Sequence, residues 1–195
     1  HSQSNEAWFF HTPGLKIVYP SNPYDAKGLL NAAIEDPNPY LYFEHKVLYR
    51  SVKDQIPDDY YTVEIGKAKL VSEGKDLSII TYGMGVHWAK EILTEMPEVS
   101  ADILDLRTLL PWDKEAVADT VQKTNRVIVL HEDTLTGGIG AEIAAWISEH
   151  HFGKLDAPVM RVGSLDTPIP FAPTLEKNFL AKGKLKLKIE ELLKF

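Results

Sequence analysis

The sequence predicts an α/β protein with mostly parallel β-sheets and helices on both faces, in a three-layer α/β/α arrangement. Short apolar runs alternate along the chain with longer segments in which apolar residues recur at helical spacing. This alternation is typical of parallel sheets whose strands are joined by helices. Residues 127–130 are four consecutive aliphatic residues, as expected for a strand that is covered on both faces.

The first unit is predicted to be strand, helix, strand. Residues 16–19 form the first strand. Ser21 or Asn22 can cap the helix that follows over residues 24–35. Its apolar face is predicted to comprise Ala26, Leu29, Leu30, Ala33 and Ile34. Residues 40–43 are apolar on both sides, so we expect a second strand that is buried in a parallel sheet.

A linker separates this unit from a second series of strands and helices. Residues 47–66 are polar, contain proline and have no helical period, so we interpret them as the linker. The strands predicted after it are 77–82, 101–106, 126–130 and 158–162. The predicted helices are 86–96, a segment capped by Asp113, a segment within 137–150 and the tail from Ala181.

Composition and charge exclude several classes of function. The chain has 195 residues and a formal net charge of -7, which argues against binding to nucleic acid or an anionic membrane, since both need clustered cations. It has no cysteine, so disulfides and thiolate metal sites are excluded. No apolar run approaches the roughly 20 residues that span a bilayer. The chain opens on His1 in a turn-rich segment, which suggests a piece of a longer polypeptide and leaves a targeting signal unreadable.

A glycine-rich turn, Gly137-Gly138-Ile139-Gly140, follows a predicted buried strand and opens a helix. Backbone N–H groups at such a turn can hold a phosphate. The dinucleotide-binding pattern fails, however, because Ile143 occupies its third glycine position. We therefore favour a tight turn with close helix packing over phosphate binding.

Several histidines are candidates for chemistry. Residues 131–133, His-Glu-Asp, follow a predicted strand, and ligand sites of open α/β sheets lie at such ends. They do not form a helical zinc motif, because the residue four after the histidine is Leu135. His150 and His151 are predicted to be surface residues. His1 and His11 flank one turn-rich segment, and composition alone leaves a catalytic and a structural role open for both.

The segment Asp36-Pro37-Asn38-Pro39 bends the chain sharply after a helix. The last carbonyls of a helix lack intrahelical donors, and such oxygens can bind a hard cation. Water on the same carbonyls is the simpler alternative, and the residues by themselves favour it.

Taken together, these motifs closely resemble the β subunits of thiamine-diphosphate-dependent 2-oxoacid dehydrogenase E1 components. The resemblance covers nearly the whole chain in family order. It rests on HSQSNEAWFFHTPGLKIVYPSNPYDAKGLLNAAIEDPNPYLYFEHKVLYR, GKAKLVSEGKDLSIITYG, DLRTLLPWD, VIVLHEDTLTGGIGAEIAAWI and APVMRVGSLDTPIPFAPTLE. Within the family, FEHKVLYR is more similar to the branched-chain enzymes than to the pyruvate enzymes. Transketolase and deoxyxylulose-phosphate synthase share the fold, but not the segment from HSQS to HTPGLK.

The resemblance implies two domains and a reaction. Residues 1–66 would be the C-terminal part of a pyrimidine-binding domain plus a linker, and residues 67–195 a domain like the transketolase C-terminal domain. The complete enzyme would carry out oxidative decarboxylation of branched-chain 2-oxoacids and acyl transfer to a lipoyl group. A pyruvate-specific E1 β is the alternative substrate class. A non-catalytic module for dimerisation and E2 docking is the alternative class of function.

The resemblance also assigns site residues. His1 matches an active-site histidine that handles protons during lipoyl acylation. Ala33, Asp36 and Asn38 match positions that hold a structural K⁺ largely through backbone carbonyls. Thiamine diphosphate and Mg²⁺ belong to the complete enzyme. No residue of this chain is assigned to them, because the activating glutamate would lie upstream of His1 and the diphosphate site would lie in the α subunit.

The partners implied are an E1 α subunit or fused α segment, a second β subunit, and the lipoyl acyltransferase E2. We expect residues 137–150 to contribute to assembly, because they carry more apolar surface than one sheet face covers. We expect the same of residues 192–195, because they leave an apolar residue beside a free carboxylate. The location would be the cytoplasm in a bacterium and the mitochondrial matrix in a eukaryote.

Overall fold

A computed structural model describes residues 3–195 and contains two β-sheets with helices around them. The strands are β1 Lys16–Val18, β2 Tyr40–Tyr42, β3 Lys69–Ser72, β4 Leu77–Thr81, β5 Ala101–Asp105, β6 Thr108–Leu110, β7 Val127–Thr134 and β8 Met160–Ser164. The helices are α1 Glu6–Phe10, α2 Pro23–Glu35, α3 Leu48–Ser51, α4 Met84–Thr94, α5 Lys114–Thr124, α6 Ile139–His151, α7 Pro173–Phe179 and α8 Lys182–Leu192, with a 3₁₀ turn at Phe152–Lys154.

The larger sheet has the strand order β3-β5-β4-β7-β8. Strands β5, β4, β7 and β8 are parallel to one another, and β3 pairs with β5 at the edge in the antiparallel sense. Ile79 in the central strand β4 lies between Ile103 of β5 and Ile128 of β7. This sheet confirms the predicted parallel α/β architecture.

The two faces of the larger sheet are covered by different helices. Leu77 and Ile79 of β4 pack in one cluster with residues of α4 and α8. Ile80 points the other way and packs with residues of α5 and α6. All five residues of β4 are buried, and each fully buried Leu or Ile contributes roughly 1.5–3 kcal/mol. The predicted three layers are therefore present, with the sheet in the middle.

The smaller sheet has the order β2-β1-β6. β1 and β2 are parallel, as predicted, while β6 pairs with β1 in the antiparallel sense. The second half of the chain thus supplies a strand to the sheet of the first half. β2 is half-buried, so the expectation of a fully buried strand over residues 40–43 is wrong. It is the edge of the described sheet, where only one neighbouring strand covers it.

The start of α2 follows the predicted capping chemistry. The Asn22 side chain accepts a hydrogen bond from the Asp25 N–H at 2.9 Å, and Pro23 occupies the first helical position. Its apolar face is only partly buried, since Leu29 is fully buried while Leu30 is 44% and Ile34 is 75% exposed. The predicted apolar stripe is thus correct at Leu29 and wrong at Leu30 and Ile34.

The segment between the two units is irregular apart from α3. This agrees with the predicted linker except for that single helical turn. Among the helices of residues 3–195, none has both the length and the apolar character that crossing a bilayer demands.

Candidate functional site

The chain start meets the carboxyl end of β7 at a cavity of about 200 Å³. His1, the predicted catalytic residue, lies outside the described residues. The segment just after it, residues 3–5, forms one wall, and residues 132–134 form another. The remaining wall residues are Trp8, Thr167, Pro168, Ile169, Glu176, Phe179 and Leu180. The structure therefore brings residues 3–5 to the strand end at which the sequence predicts a ligand site.

The walls of this cavity are acidic. Glu132, Asp133 and Glu176 line it, and burial raises the pKa of Asp133 above its usual range. His45 Nε2 lies 2.8 Å from Glu132 Oε2. Among residues 3–195, no cluster of three or more His, Asp or Glu side chains has a geometry for holding a metal ion.

A buried acid lies behind the cavity. Glu6 in α1 is 1% exposed, and the Tyr82 hydroxyl donates a 2.8 Å hydrogen bond to its Oε1. Burial raises the pKa of Glu6 to about 7, and the neighbouring carboxyls of Asp133 and Glu132 add to that rise. Sequence reasoning missed this residue, because a glutamate in the first turn of a helix usually faces water. The one available signal is the pattern of Ala7 and Phe10, which places Glu6 on the buried side.

His131 is a packing residue in this structure. Its ring is fully buried, and its Nδ1–H donates to the Asp133 carbonyl at 3.0 Å. Burial lowers the pKa of His131 to about 4, so the ring is neutral near pH 7. An added Cβ at Gly138 or Gly140 would lie 2.7 Å or 2.6 Å from ring atoms. The glycine turn therefore makes room for the imidazole, which supports the packing interpretation over phosphate binding.

Arg107 connects the two sheets. Its backbone has a φ of 57°, and its side chain donates to the Asp25 carboxylate at 3.1 Å and to the Lys67 carbonyl. Asp105 accepts hydrogen bonds from the Ser21 hydroxyl at 2.5 Å and from the Arg107 N–H at 3.1 Å. Burial raises the pKa of Asp105 to about 7. This polar network fixes the first unit relative to the second.

In the turn that is predicted to bind a cation, the Asp36 side chain is held by several hydrogen bonds. The Asp36 carboxylate accepts hydrogen bonds from Lys16, from the Asn38 N–H at 2.9 Å and from the Tyr40 hydroxyl at 2.8 Å. These donors, led by the Lys16 ammonium, hold the pKa of Asp36 well below its usual range. The Ala33 carbonyl lacks its usual donor four residues on, because proline at that position has no N–H. A cation here would therefore be bound by backbone carbonyls, since the carboxylate is occupied.

His11, His150 and His151 do not line the cavity. His11 and His150 are exposed, and His151 is half-buried. The His150 ring stacks on Trp146 with centroids 4.8 Å apart. The prediction that His150 is a surface residue is confirmed.

Comparisons with known proteins agree with the two units. Residues 66–184 match the family model described as transketolase, C-terminal domain, and residues 1–52 match transketolase, pyrimidine binding domain. The 2-oxoisovalerate dehydrogenase subunit beta of Bacillus subtilis (strain 168) is 48% identical over 199 residues, covering 100% of this chain and 61% of that protein. The pyruvate dehydrogenase E1 component subunit beta of Porphyra purpurea is 46% identical over 179 residues, covering 91% and 54% respectively.

Among solved structures, a split gene transketolase described as an inactive beta4 tetramer matches with a TM-score of 0.77 and 23% identity. The match covers 96% of this chain and 60% of that one, and it bears on the fold alone. The chain spans 54–61% of the length of the two sequence relatives. By these matches the chain belongs to the transketolase C-terminal domain family, matches the transketolase pyrimidine binding domain over residues 1–52, and is similar to the β subunits of 2-oxoacid dehydrogenase E1 components.

Proposed function

We propose that the chain is the C-terminal part of the E1 β subunit of a 2-oxoacid dehydrogenase complex, with residues 1–66 and 67–195 as its two domains. Its reaction is the oxidative decarboxylation of a branched-chain 2-oxoacid, followed by acyl transfer to lipoyl-E2. The observation that carries the proposal is 48% identity, over the whole chain, to a 2-oxoisovalerate dehydrogenase subunit beta. The 46% identity to a pyruvate dehydrogenase subunit beta makes pyruvate the second candidate substrate.

His1 is the proposed catalytic residue of this chain. A histidine with a pKa near the working pH can give and take a proton. Acyl transfer to the lipoyl group requires such a proton transfer at sulfur. The supporting geometry is indirect, because it comes from the residues that follow. Residues 3–5 line the cavity at the end of β7, next to the acidic pair Glu132 and Asp133.

Thiamine diphosphate and Mg²⁺ belong to the complete enzyme in this proposal. The cofactor supplies the decarboxylation chemistry when it is bound. The glycine turn at Gly138 and Gly140 does not fit its diphosphate, because His131 fills the space that the turn encloses. We therefore assign the diphosphate and its metal to other parts of the enzyme.

Ala33, Asp36 and Asn38 are proposed to hold a structural K⁺ through their backbone carbonyls. The free Ala33 carbonyl and the fixed geometry of the turn support this assignment. The ion pair between Asp36 and Lys16 keeps the turn closed whether or not the cation is bound.

The proposed partners are an E1 α subunit or fused α segment, a second β subunit and E2. A non-catalytic role in dimerisation and E2 docking is the alternative class of function. The proposed location is the cytoplasm in a bacterium or the mitochondrial matrix in a eukaryote.

The test is reconstitution. The complete β subunit is combined with its α subunit, thiamine diphosphate and Mg²⁺, and reduction of an artificial electron acceptor is followed with 2-oxoisovalerate and with pyruvate. The expected result is a higher kcat/KM for 2-oxoisovalerate than for pyruvate. Preference for pyruvate would move the protein to the pyruvate class, and no turnover with either substrate would leave the docking role.

A further inference from the structure

Glu6 is a buried acid that has no cationic partner among residues 3–195. Tyr82 donates the hydrogen bond to Oε1, while Oε2 has no hydrogen-bond partner among residues 3–195. The salt bridges in this part of the chain do not include Glu6. Burying an ionised carboxylate without a partner is costly, so such a group is stable mainly in its neutral form.

The surroundings of Glu6 on balance favour its protonated form. The titratable groups that act on it are Tyr19, Tyr82, Glu132 and Asp133. Two of these are carboxyls that repel a second negative charge, and two are phenols whose own pKa is raised by burial. The nearby imidazole of His45 contacts Glu132. A backbone hydrogen bond at Glu6 and the Tyr82 hydroxyl stabilise the ionised form, and burial outweighs both.

Glu6 is the polar member of the surface by which α1 docks on the rest of the molecule. Ala7 and Phe10 pack against the cluster that contains Tyr82 and Ile139, and α1 contacts α6 directly. A five-residue helix has little stability of its own, so α1 depends on this docking surface. The charge state of Glu6 therefore bears on whether α1 stays in place.

We propose that Glu6 is a positioning residue for His1: in its neutral form it holds α1 against the C-terminal domain, and its ionisation releases α1. The proposal rests on the proposed function, because that function gives His1 its task. Glu6 follows His1 by five positions, and five extended residues reach at most roughly 17 Å. The place of α1 thus limits where the histidine can act.

The test is hydrogen exchange of the α1 amides against pH in the complete β subunit bound to its α subunit. Exchange is expressed as protection factors, which remove the intrinsic pH dependence of the amides. An undocked Glu6 would titrate near the ordinary value of 4.5 and the docked one near 7. Linkage between these two values predicts that protection falls roughly 30-fold between pH 5 and pH 7.

Two variants and one control isolate the effect. Glu6→Gln cannot ionise, so its α1 protection should change by less than about twofold over the same range. Tyr82→Phe removes the side-chain hydrogen bond that favours the ionised form, so the pH midpoint should move upward. Glu142→Gln changes an exposed acid in the first turn of α6 and should behave as the wild type. Equal pH dependence in the wild type and Glu6→Gln, or a wild-type protection that does not vary with pH, would overturn the proposal.

The catalytic readout separates this proposal from the proposed function. In the active complex, the alkaline limb of kcat/KM should move to higher pH in Glu6→Gln and stay in place in Glu142→Gln. An unshifted alkaline limb, or an active complex whose α1 protection is independent of pH, would reject the role of Glu6. A different outcome is a complex that shows pH-dependent protection of the α1 amides but no turnover of a 2-oxoacid. That result would reject the proposed function and leave the role of Glu6 in docking α1 intact.

Discussion

Gly140 approaches the His131 ring so closely that an added Cβ would lie 2.6 Å from Cδ2 and Nε2. The ring has nowhere to move, because it is fully buried and Gly138 and Gly163 close it in from two other sides. The sequence shows the glycines but not what they enclose. Their role in packing follows only when the turn and the end of β7 are seen together.

Gly140→Ala is expected to lower the free energy of unfolding by about 1–3 kcal/mol through overpacking. Alanine has the higher helix propensity, so a loss of stability would show that the contact outweighs the propensity. Gly153→Ala is the matched control, since an added Cβ there meets no atom within 4 Å. Denaturant unfolding measures both variants, and equal stability of the two would contradict the role assigned to Gly140.

The burial of Glu6 could not be predicted from the sequence. Its neighbours Tyr82 and Asp133 are 76 and 127 positions away along the chain, so no local pattern brings them to it. His1 and the K⁺ residues Ala33 and Asp36 came from resemblance to a family, and their roles are proposals. The hydrogen bonds that Asp36 accepts give a physical reason why a cation at this turn would be bound by backbone carbonyls rather than by the carboxylate. The sequence alone could not supply that reason.

At the scale of elements, the longer helices and the buried strands were predictable, whereas the short helices α1, α3 and α7 and the short antiparallel strands were not. The predicted helix over residues 86–96 corresponds to α4 at Met84–Thr94. Asp113 caps α5 as predicted, since its side chain accepts from the Ala116 N–H at 3.2 Å. β3 and β6 were missed because they have four and three residues and pair with strands far along the chain. Such pairing depends on tertiary contacts rather than on local pattern.

The cap of α2 gives an element-scale prediction. Asn22→Ala removes the acceptor for the Asp25 N–H and should lower the free energy of unfolding by about 0.5–2 kcal/mol. Asn178→Ala, an exposed asparagine within α7, should stay within about 0.5 kcal/mol of the wild type. Chemical denaturation at one pH compares them, and an Asn22→Ala protein as stable as the control would show that the cap contributes nothing.

At the scale of the whole molecule, the two sheets are held together by exchange of a strand and by a polar network. β6 enters the smaller sheet, and Arg107 and Asp105 bind Asp25 and Ser21 across the junction. The sequence predicted two units and a linker between them. It gave no sign that a strand crosses back, because the run over residues 108–110 is too short to stand out.

The chain terminus gives a prediction about assembly. Leu192 is fully buried, whereas Phe195 is 60% exposed, so deleting Lys194 and Phe195 should leave folding intact. If residues 194 and 195 contact E2, the deletion should weaken E2 binding, because the exposed apolar side chain of Phe195 is removed. Phe152→Ala, which removes a 78% exposed side chain elsewhere, is the control. Co-sedimentation with E2 that is equally strong after the deletion would exclude a docking role for these residues.

The central claim is that this chain supplies the histidine for acyl transfer in an E1 component. It is tested most directly by His1→Ala in the complete complex, with acylation of a free lipoyl domain measured in a single turnover beside thiamine diphosphate affinity. Loss of general acid–base catalysis predicts acylation slower by about 10²–10⁴-fold, with cofactor affinity unchanged. An acylation rate equal to that of the wild type would contradict the claim and make His1 a structural residue.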